Sequence, residues 1–272
     1  MARNSALLAC CALAACATVT GEQRPRMSVA EAERAFAADA QTRTVNEAFL
    51  TAFATDGIMF RPTPVNAPQA LTQRPIPPQA NLRWAPALTE TAAAGDYAVS
   101  TGPSERGERG GAPAGTGYFL SVWRVTDGKW RVVFDAGIDG PIPAPVTMQG
   151  GTVSTRILRP SPTRSDDIEQ MRNDLLQVER TLIEDYPNLL REHATSDLRF
   201  YRDGRAPTAT IGEAIGLVNA EDDVEWTPQA AFVSKSGDLG YVYGVAKAER
   251  EGGYVRIYRN QDGKWKVAYD LR

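Results

Sequence analysis

The sequence predicts an α+β protein made of two similar units, each with N-terminal helices packed on a curved antiparallel sheet. Three observations carry that reading. One stretch of the chain recurs in the same order. Each copy opens with apolar residues at helical spacing, and each closes on aromatic and β-branched runs joined by Asp-Gly.

The repeat is clearest near the end of each copy. Residues 117–135 contain Asp127-Gly128-Lys129-Trp130, and residues 252–270 contain Asp262-Gly263-Lys264-Trp265. A basic residue, two apolar residues, an aromatic and an aspartate follow in both, ending at Asp135 and Asp270. Earlier anchors keep their order. Ala32-Glu33-Arg34 pairs with Val178-Glu179-Arg180, Ala54-Thr55-Asp56 with Ala194-Thr195-Ser196, and Trp84-Ala85-Pro86 with Trp226-Thr227-Pro228. The offset between copies shrinks along the chain, as expected when insertions fall in loops. Chance produces one such tetrapeptide, not four anchors in order. The units are therefore placed at 28–139 and 166–272, with a Pro- and Gly-rich linker at 140–165.

In the first unit, Ser28 and Glu31 form a capping box, and Phe36, Val45, Phe49 and Phe53 run through the helical region that follows. Pro62, Pro64, Pro68, Pro75, Pro77, Pro78 and Pro86 predict an irregular stretch that covers or fills its own pocket. Residues 102–116, rich in Gly, Glu and Arg, read as a long flexible hairpin connection.

The second unit starts with Asp166 three residues before Glu169, which resembles a capping box. Ile168, Met171, Leu175, Val178 and Leu182 then share one helical face. Pro187 ends that helix after Tyr186, a short helix covers 188–194, and 198–202 is strand-like. Regular strands follow at 241–245, 254–259 and 265–269, and Asp-Gly at 127–128 and 262–263 closes a hairpin in each copy.

Upstream, a short polar start with Arg3 leads into the apolar run Ala6–Ala12 and then small residues, the plan of a secretory signal peptide. The run is shorter than the roughly 20 residues a membrane-spanning helix needs. Its end, Leu13-Ala14-Ala15-Cys16, resembles the lipobox of bacterial lipoproteins. That resemblance implies cleavage after residue 15, acylation of Cys16 with palmitate-type chains, and a tether over 16–27. More than one acyl chain makes a stable anchor. Ala17 in place of aspartate implies the outer membrane, facing the periplasm, rather than the inner one.

The three cysteines are Cys10, Cys11 and Cys16, so the folded part has no thiol for a disulfide, a thiolate metal site or a nucleophile. A single histidine, His193, excludes a histidine metal cluster. No metal and no cofactor is expected. The net charge of −3 and the lack of a basic run give no footprint for nucleic acid.

The order of helices, Ala-Thr-Asp, strand and terminal Asp-Gly-Lys-Trp hairpin resembles the SnoaL-like domains, of the type called DUF4440, in the nuclear transport factor 2-like superfamily. The resemblance covers both units. It implies cones in which helix and curved sheet enclose an apolar pocket, paired through their sheets, so that one chain with two copies mimics a dimer and is itself a monomer. Relatives include isomerases and cyclases with interior carboxylates and tyrosines. None of their catalytic motifs maps onto this chain residue by residue, so no catalytic residue is assigned.

Candidate ligand-binding residues are therefore drawn from the second unit: His193, Tyr201, Arg202, Trp226 and Tyr243. His193 is the single histidine, the residue type whose unperturbed side chain changes charge nearest neutrality. Arg202 shares a strand face with Phe200 and Leu198 and is suited to hold a carboxylate in two hydrogen bonds. The aromatics supply walls. Arg61 offers the same chance as Arg202 in the first unit, on a strand disturbed by Pro62 and Pro64. Asp135 and Asp270 read as strand-end carboxylates, and Asp-Gly-Lys-Trp as turn chemistry. Three function classes follow: a non-catalytic module for a small amphipathic or anionic ligand, a structural or protein-interaction lipoprotein, and an isomerase-, cyclase- or hydratase-type enzyme using the second pocket.

Overall fold

The computed structural model describes residues 25–147, 151–218 and 224–272. The expected signal 1–15, Cys16 and tether residues 17–24 lie outside them. Among the described residues, no helix is long and apolar enough to cross a membrane.

Helices α1 (Val29–Thr42) and α2 (Val45–Ala52) each begin with a complete capping box, Ser28 with Glu31 and Thr44 with Glu47. Two orphan N–H groups per helix are thereby satisfied. Strand β1 (Phe53–Phe60) leads through β2 (Pro64–Asn66) to α3 (Ala67–Gln73), and then come β3 (Ala80–Trp84), β4 (Leu88–Thr91), β5 (Tyr97–Glu108), β6 (Pro113–Thr126) and β7 (Lys129–Asp139). The linker adds β8 (Ser154–Ile157), parallel to β4. The second half runs α4 (Ile168–Glu184), α5 (Tyr186–His193), β9 (Ala194–Tyr201), α6 (Ile211–Val218), β10 (Glu225–Val233), β11 (Leu239–Lys247), β12 (Glu251–Gln261) and β13 (Lys264–Leu271).

The strands form two sheets. One has the order β2-β1-β7-β6-β5-β4-β8, with β3 also on β5; the other is β10-β11-β12-β13-β9. In each, the strand after the helix pair lies parallel to the final strand of the hairpin. Asp127, Gly128, Asp262 and Gly263 all have positive φ, which makes both hairpin turns tight and matched to strand twist.

Several expectations are corrected. The cap of α4 is Asp167, not Asp166. Its buried stripe is Met171, Leu175, Glu179 and Leu182, with Val178 only half-buried. Pro187 does not end a helix there; it sits in the first turn of α5, where a missing N–H costs nothing. Residues 102–116 are mostly long paired strands of β5 and β6. The proline-rich stretch is irregular at 61–63, 74–79 and 85–87, but it also holds β2 and α3: Pro68 lies in the first turn of α3, which Asn66 caps, and Ala67 and Leu71 fill the first core. The second copy is not purely strand there, since α6 occupies it.

Three apolar clusters result. One lies between α1, α2, α3 and the first sheet. A second lies between α4, α5, α6 and the second sheet. The third joins the outer faces of both sheets, including Val99, Leu120, Val122 and Phe134 from one and Tyr241, Val255, Ile257 and Tyr269 from the other. Here the backbones come very close. A Cβ on Gly253 would stand 2.4 Å from the Phe60 ring, and its N–H donates to Pro62 O at 2.8 Å. Only glycine permits that approach.

Candidate functional site

The interior of each half is organised around one buried glutamate on its first helix. In the first half Glu33 is fully buried on α1. It accepts from Trp84 Nε1 at 2.6 Å and Trp123 Nε1 at 2.9 Å. Asp135 on β7 accepts from Ser121 Oγ at 2.7 Å. No arginine or lysine answers either acid among the described residues. Burial pushes Glu33 up to about 7 against the pull of its indole donors, and the nearby Asp135 adds to the rise. Burial likewise pushes Asp135 up to about 7. Both carboxyls thus exchange protons near neutrality.

The second half places Glu179, Asp270, Arg256 and Arg202 together. Glu179 Oε1 accepts from Arg256 Nη1 at 2.5 Å and Tyr254 Oη at 2.9 Å, and its other oxygen accepts from Tyr258. Asp270 accepts from Arg256 Nε at 2.6 Å, Tyr186 Oη at 2.8 Å and Arg202 Nη1 at 2.8 Å. The Arg256 guanidinium lies 4.1 Å from the Trp226 ring, 4.3 Å from Tyr186 and 4.9 Å from Tyr254. Burial raises Asp270, but Arg202 and Arg256 outweigh it and hold the carboxyl below its ordinary value. Burial alone would weaken the charge on Arg256; Glu179 and Asp270 reverse that and raise it. Two acids and two guanidiniums balance. Asp135 and Asp270 are therefore interior anchors, not strand-end carboxylates facing solvent.

The five residues singled out from sequence do not form one site. Arg202 points inward, stacked 3.6 Å over Phe200 and bonded to Asp270, and Trp226 faces the same network across Arg256. Tyr201 and Tyr243 lie on the opposite face of the sheet. Tyr201 meets Thr101 Oγ1 at 2.8 Å, and Tyr243 stacks 6.2 Å from Phe134. His193 ends α5 and lines a separate cleft. Arg61 donates to Arg74 O at 2.7 Å and so caps α3 instead of entering the first interior. Sequence reading missed Glu33, Glu179 and Arg256. The signals were present: Glu179 follows Leu175 by four residues and precedes Leu182 by three, and Arg256 alternates with Tyr254 and Tyr258 on one strand face.

Open space lies beside the helices at the two hairpin tips. In the first half a cleft of about 1000 Å³ runs between α1, α2 and the β6–β7 turn. Phe36, Trp123 and Trp130 wall it, small residues such as Ala35 and Ala52 make room, and Arg26, Lys129, Arg131, Asp39 and Asp127 supply its charged lining. Trp123 links this wall to Glu33. In the second half the corresponding cleft, about 650 Å³, lies between α4 and the β12–β13 turn. Asp-Gly-Lys-Trp thus closes a turn in both halves, and its Gly-Lys-Trp part lines a cleft in each. Among the described residues no group of His, Cys, Asp and Glu side chains is disposed to hold a metal ion.

No family model matches the sequence, and no curated protein matches it. Solved structures do resemble it. An NTF-2 like protein of unknown function from Shewanella oneidensis is 13% identical, with 36% of this chain and 95% of that one covered and a TM-score of 0.31. An NTF2-like protein of unknown function from Pseudomonas putida is 12% identical, covering 38% and 85%, with a TM-score of 0.32. The association domain of CaMKII from C. elegans is 14% identical, covering 40% and 98%, with a TM-score of 0.32. Each spans less than half of this chain and most of its own length.

Proposed function

We propose that the protein is a lipid-anchored envelope protein that binds, without transforming it, a small ligand with an apolar body and an anionic head. It does so in the cleft of its first half. The observation that carries this is the cleft of about 1000 Å³ walled by Phe36, Trp123 and Trp130, with Arg26, Lys129 and Arg131 outnumbering Asp127 and the Arg43-paired Asp39 in its lining. Its size and mixture of aromatic walls with a few polar groups suit a small-molecule site. The second interior is occupied by its own guanidinium network, which argues for the first half over the second. The outer sheet faces, which an interaction module of this fold would use, are packed on each other within the chain. The anchor at Cys16 and the two-unit division at 28–139 and 166–272 belong to this reading, with the sheet-to-sheet packing as support.

Titrating a chain that starts at residue 17 with a fluorescent fatty acid tests it. Ala35 is exposed on α1 and lines the cleft, so Ala35→Phe fills the space at little cost to folding. Binding is expected in the wild type and lost in Ala35→Phe. Equal binding by both overturns the proposal. The enzyme reading draws on Glu33 and Asp135, whose carboxyls both lie near 7. It takes over if bound ligand is chemically altered and Glu33→Gln stops the change while binding persists.

A further inference from the structure

We infer, on the reading that Cys16 anchors the chain and the first-half cleft takes an amphipathic ligand, that the mouth of this cleft is a membrane-contact face and opens onto the phospholipid bilayer. Charge does not single this cleft out, since each of the two clefts gathers three side chains of fixed positive charge and two acids. The path of the chain does. Pro25, Arg26 and Met27 line the first cleft, and the Met27 carbonyl accepts from Trp130 Nε1 at 3.0 Å. That bond ties the segment arriving from the anchor to the β6–β7 hairpin. Cys16 lies only about nine residues before Pro25, a reach of at most about 30 Å when fully extended. The anchored chain therefore enters the fold at this mouth and holds it within that distance of the bilayer. The second cleft is lined instead by Ser161, Thr163 and Arg164 of the linker, which the chain reaches only after the whole first half.

Exposed apolar surface gathers at the same place. Among the described residues three large hydrophobic side chains are exposed: Met27, Leu50 and Ile157. Met27 lines the cleft. Leu50 lies on the outward face of α2 beside Thr51, which also lines it. Ile157 stands apart on β8, the edge strand of the first sheet. Two of the three thus flank one opening, where entry among lipid chains removes them from water.

The polar groups around the opening suit the level of the headgroups. Trp130 is the kind of amphipathic ring that favours a membrane interface, and Arg26 and Lys129 have long apolar stems that let their charged ends reach phosphate. Of the two acids in the lining, Asp39 is held by Arg43, which leaves Asp127. A ligand dissolved in the bilayer then reaches the walls of Phe36, Trp123 and Trp130 without crossing water.

The chain from residue 16 onward carries one thiol, at Cys16. Coupled there to a lipid with a maleimide headgroup, it is held on vesicles of phosphatidylcholine and phosphatidylglycerol, whether or not the cell acylates it. Acyl chains brominated near the headgroup quench tryptophan emission on close approach. Emission is expected to fall on brominated vesicles relative to plain ones. Trp130→Phe is expected to remove most of that quenching, whereas Trp265→Phe, the matching position of the second half, leaves it in place. Met27→Ser combined with Leu50→Ser, both at exposed positions, should also reduce it, and this spares the core should Trp130→Phe unfold. Ile157→Ser should not reduce it. Emission indifferent to bromination, or quenching removed by Trp265→Phe and kept in Trp130→Phe, overturns the inference. Fatty-acid titration of the chain that starts at residue 17 reads the cleft in solution. Binding there without quenching on vesicles leaves the ligand site standing and removes the membrane face; quenching without binding does the reverse.

Discussion

Glu33 and Glu179 stand at matching turns of α1 and α4, both fully buried, yet one is answered by two indoles and the other by a guanidinium and two phenols. The exchange follows residue by residue along the repeat. Ser121 stands where Arg256 does, Trp123 where Tyr258 does, and Asp135 where Asp270 does. One helix–sheet plan thus holds two different electrostatic states. In the first, burial favours the protonated carboxyls of Glu33 and Asp135; in the second, the guanidiniums of Arg202 and Arg256 favour the ionised carboxylate of Asp270.

The halves should therefore respond oppositely to pH. The Glu33 carboxyl, near 4.5 when unfolded and about 7 when folded, contributes stability that is full below its unfolded value and is lost as pH rises through 7. Asp270 is depressed, so its contribution is present above its unfolded value and is lost as pH falls through the folded one. Chemical denaturation is expected to show Glu33→Gln gaining on the wild type by about 3 kcal/mol between pH 5 and pH 8. An identical pH profile for the two proteins would falsify the burial account of Glu33.

Arg256 is the residue whose loss should hurt most. Arg256→Met leaves Glu179 and Asp270 facing each other inside an apolar shell with one of their two cations gone. Breaking such a network by removing one partner costs roughly 3–5 kcal/mol. Arg256→Lys restores the charge without the planar fork that reaches both acids, and should fall between. A loss under about 1 kcal/mol for Arg256→Met would show that the interior relaxes or admits water.

Glu90 and Arg259 tie the two sheets together. Arg259 Nε and Nη2 reach Glu90 at 2.7 and 2.5 Å, and both side chains are buried; Arg156 on the linker strand touches Glu90 at 3.2 Å and Asp197 at 3.1 Å. A double-mutant cycle with Glu90→Gln and Arg259→Met should return a coupling within about 0.5–3 kcal/mol. Strict additivity would mean the pair is incidental to the joining of the halves.

Lipidation is expected at Cys16. Cys16→Ser should abolish acyl labelling and release the protein from membranes or leave it uncleaved. Labelling that persists in this variant disproves the assignment.

Because Val122, Phe134, Tyr241 and Ile257 bury the outer sheet faces against each other, the unlipidated chain should be a monomer in solution. Light scattering coupled to size exclusion measures this, and a stable dimer at micromolar concentration contradicts it.

Much of this architecture can be read directly from local pattern. Capping at Ser28 and Glu31, the helical spacing from Met171 to Leu182, the Asp-Gly turns and the repeat itself depend on neighbours within a few residues. Backbone conformation is set at that range, so the α+β order is legible in the sequence. Local rules miscarry where a distant partner decides. Residues 102–116 become strand because β5 and β6 pair along their whole length, and Pro68 and Pro64 are absorbed by the α3 start and the edge strand β2. The site is more distant still. Tyr201 and Arg202 are adjacent in sequence and point to opposite faces, one to the other half and one to Asp270. Sequence alone identifies Glu33 and Glu179 as equivalent. Only the tertiary structure assigns one to indoles and the other to arginine, because the charge state of a buried acid depends on side chains from β3, β6 and β12 that meet it across tens to scores of residues.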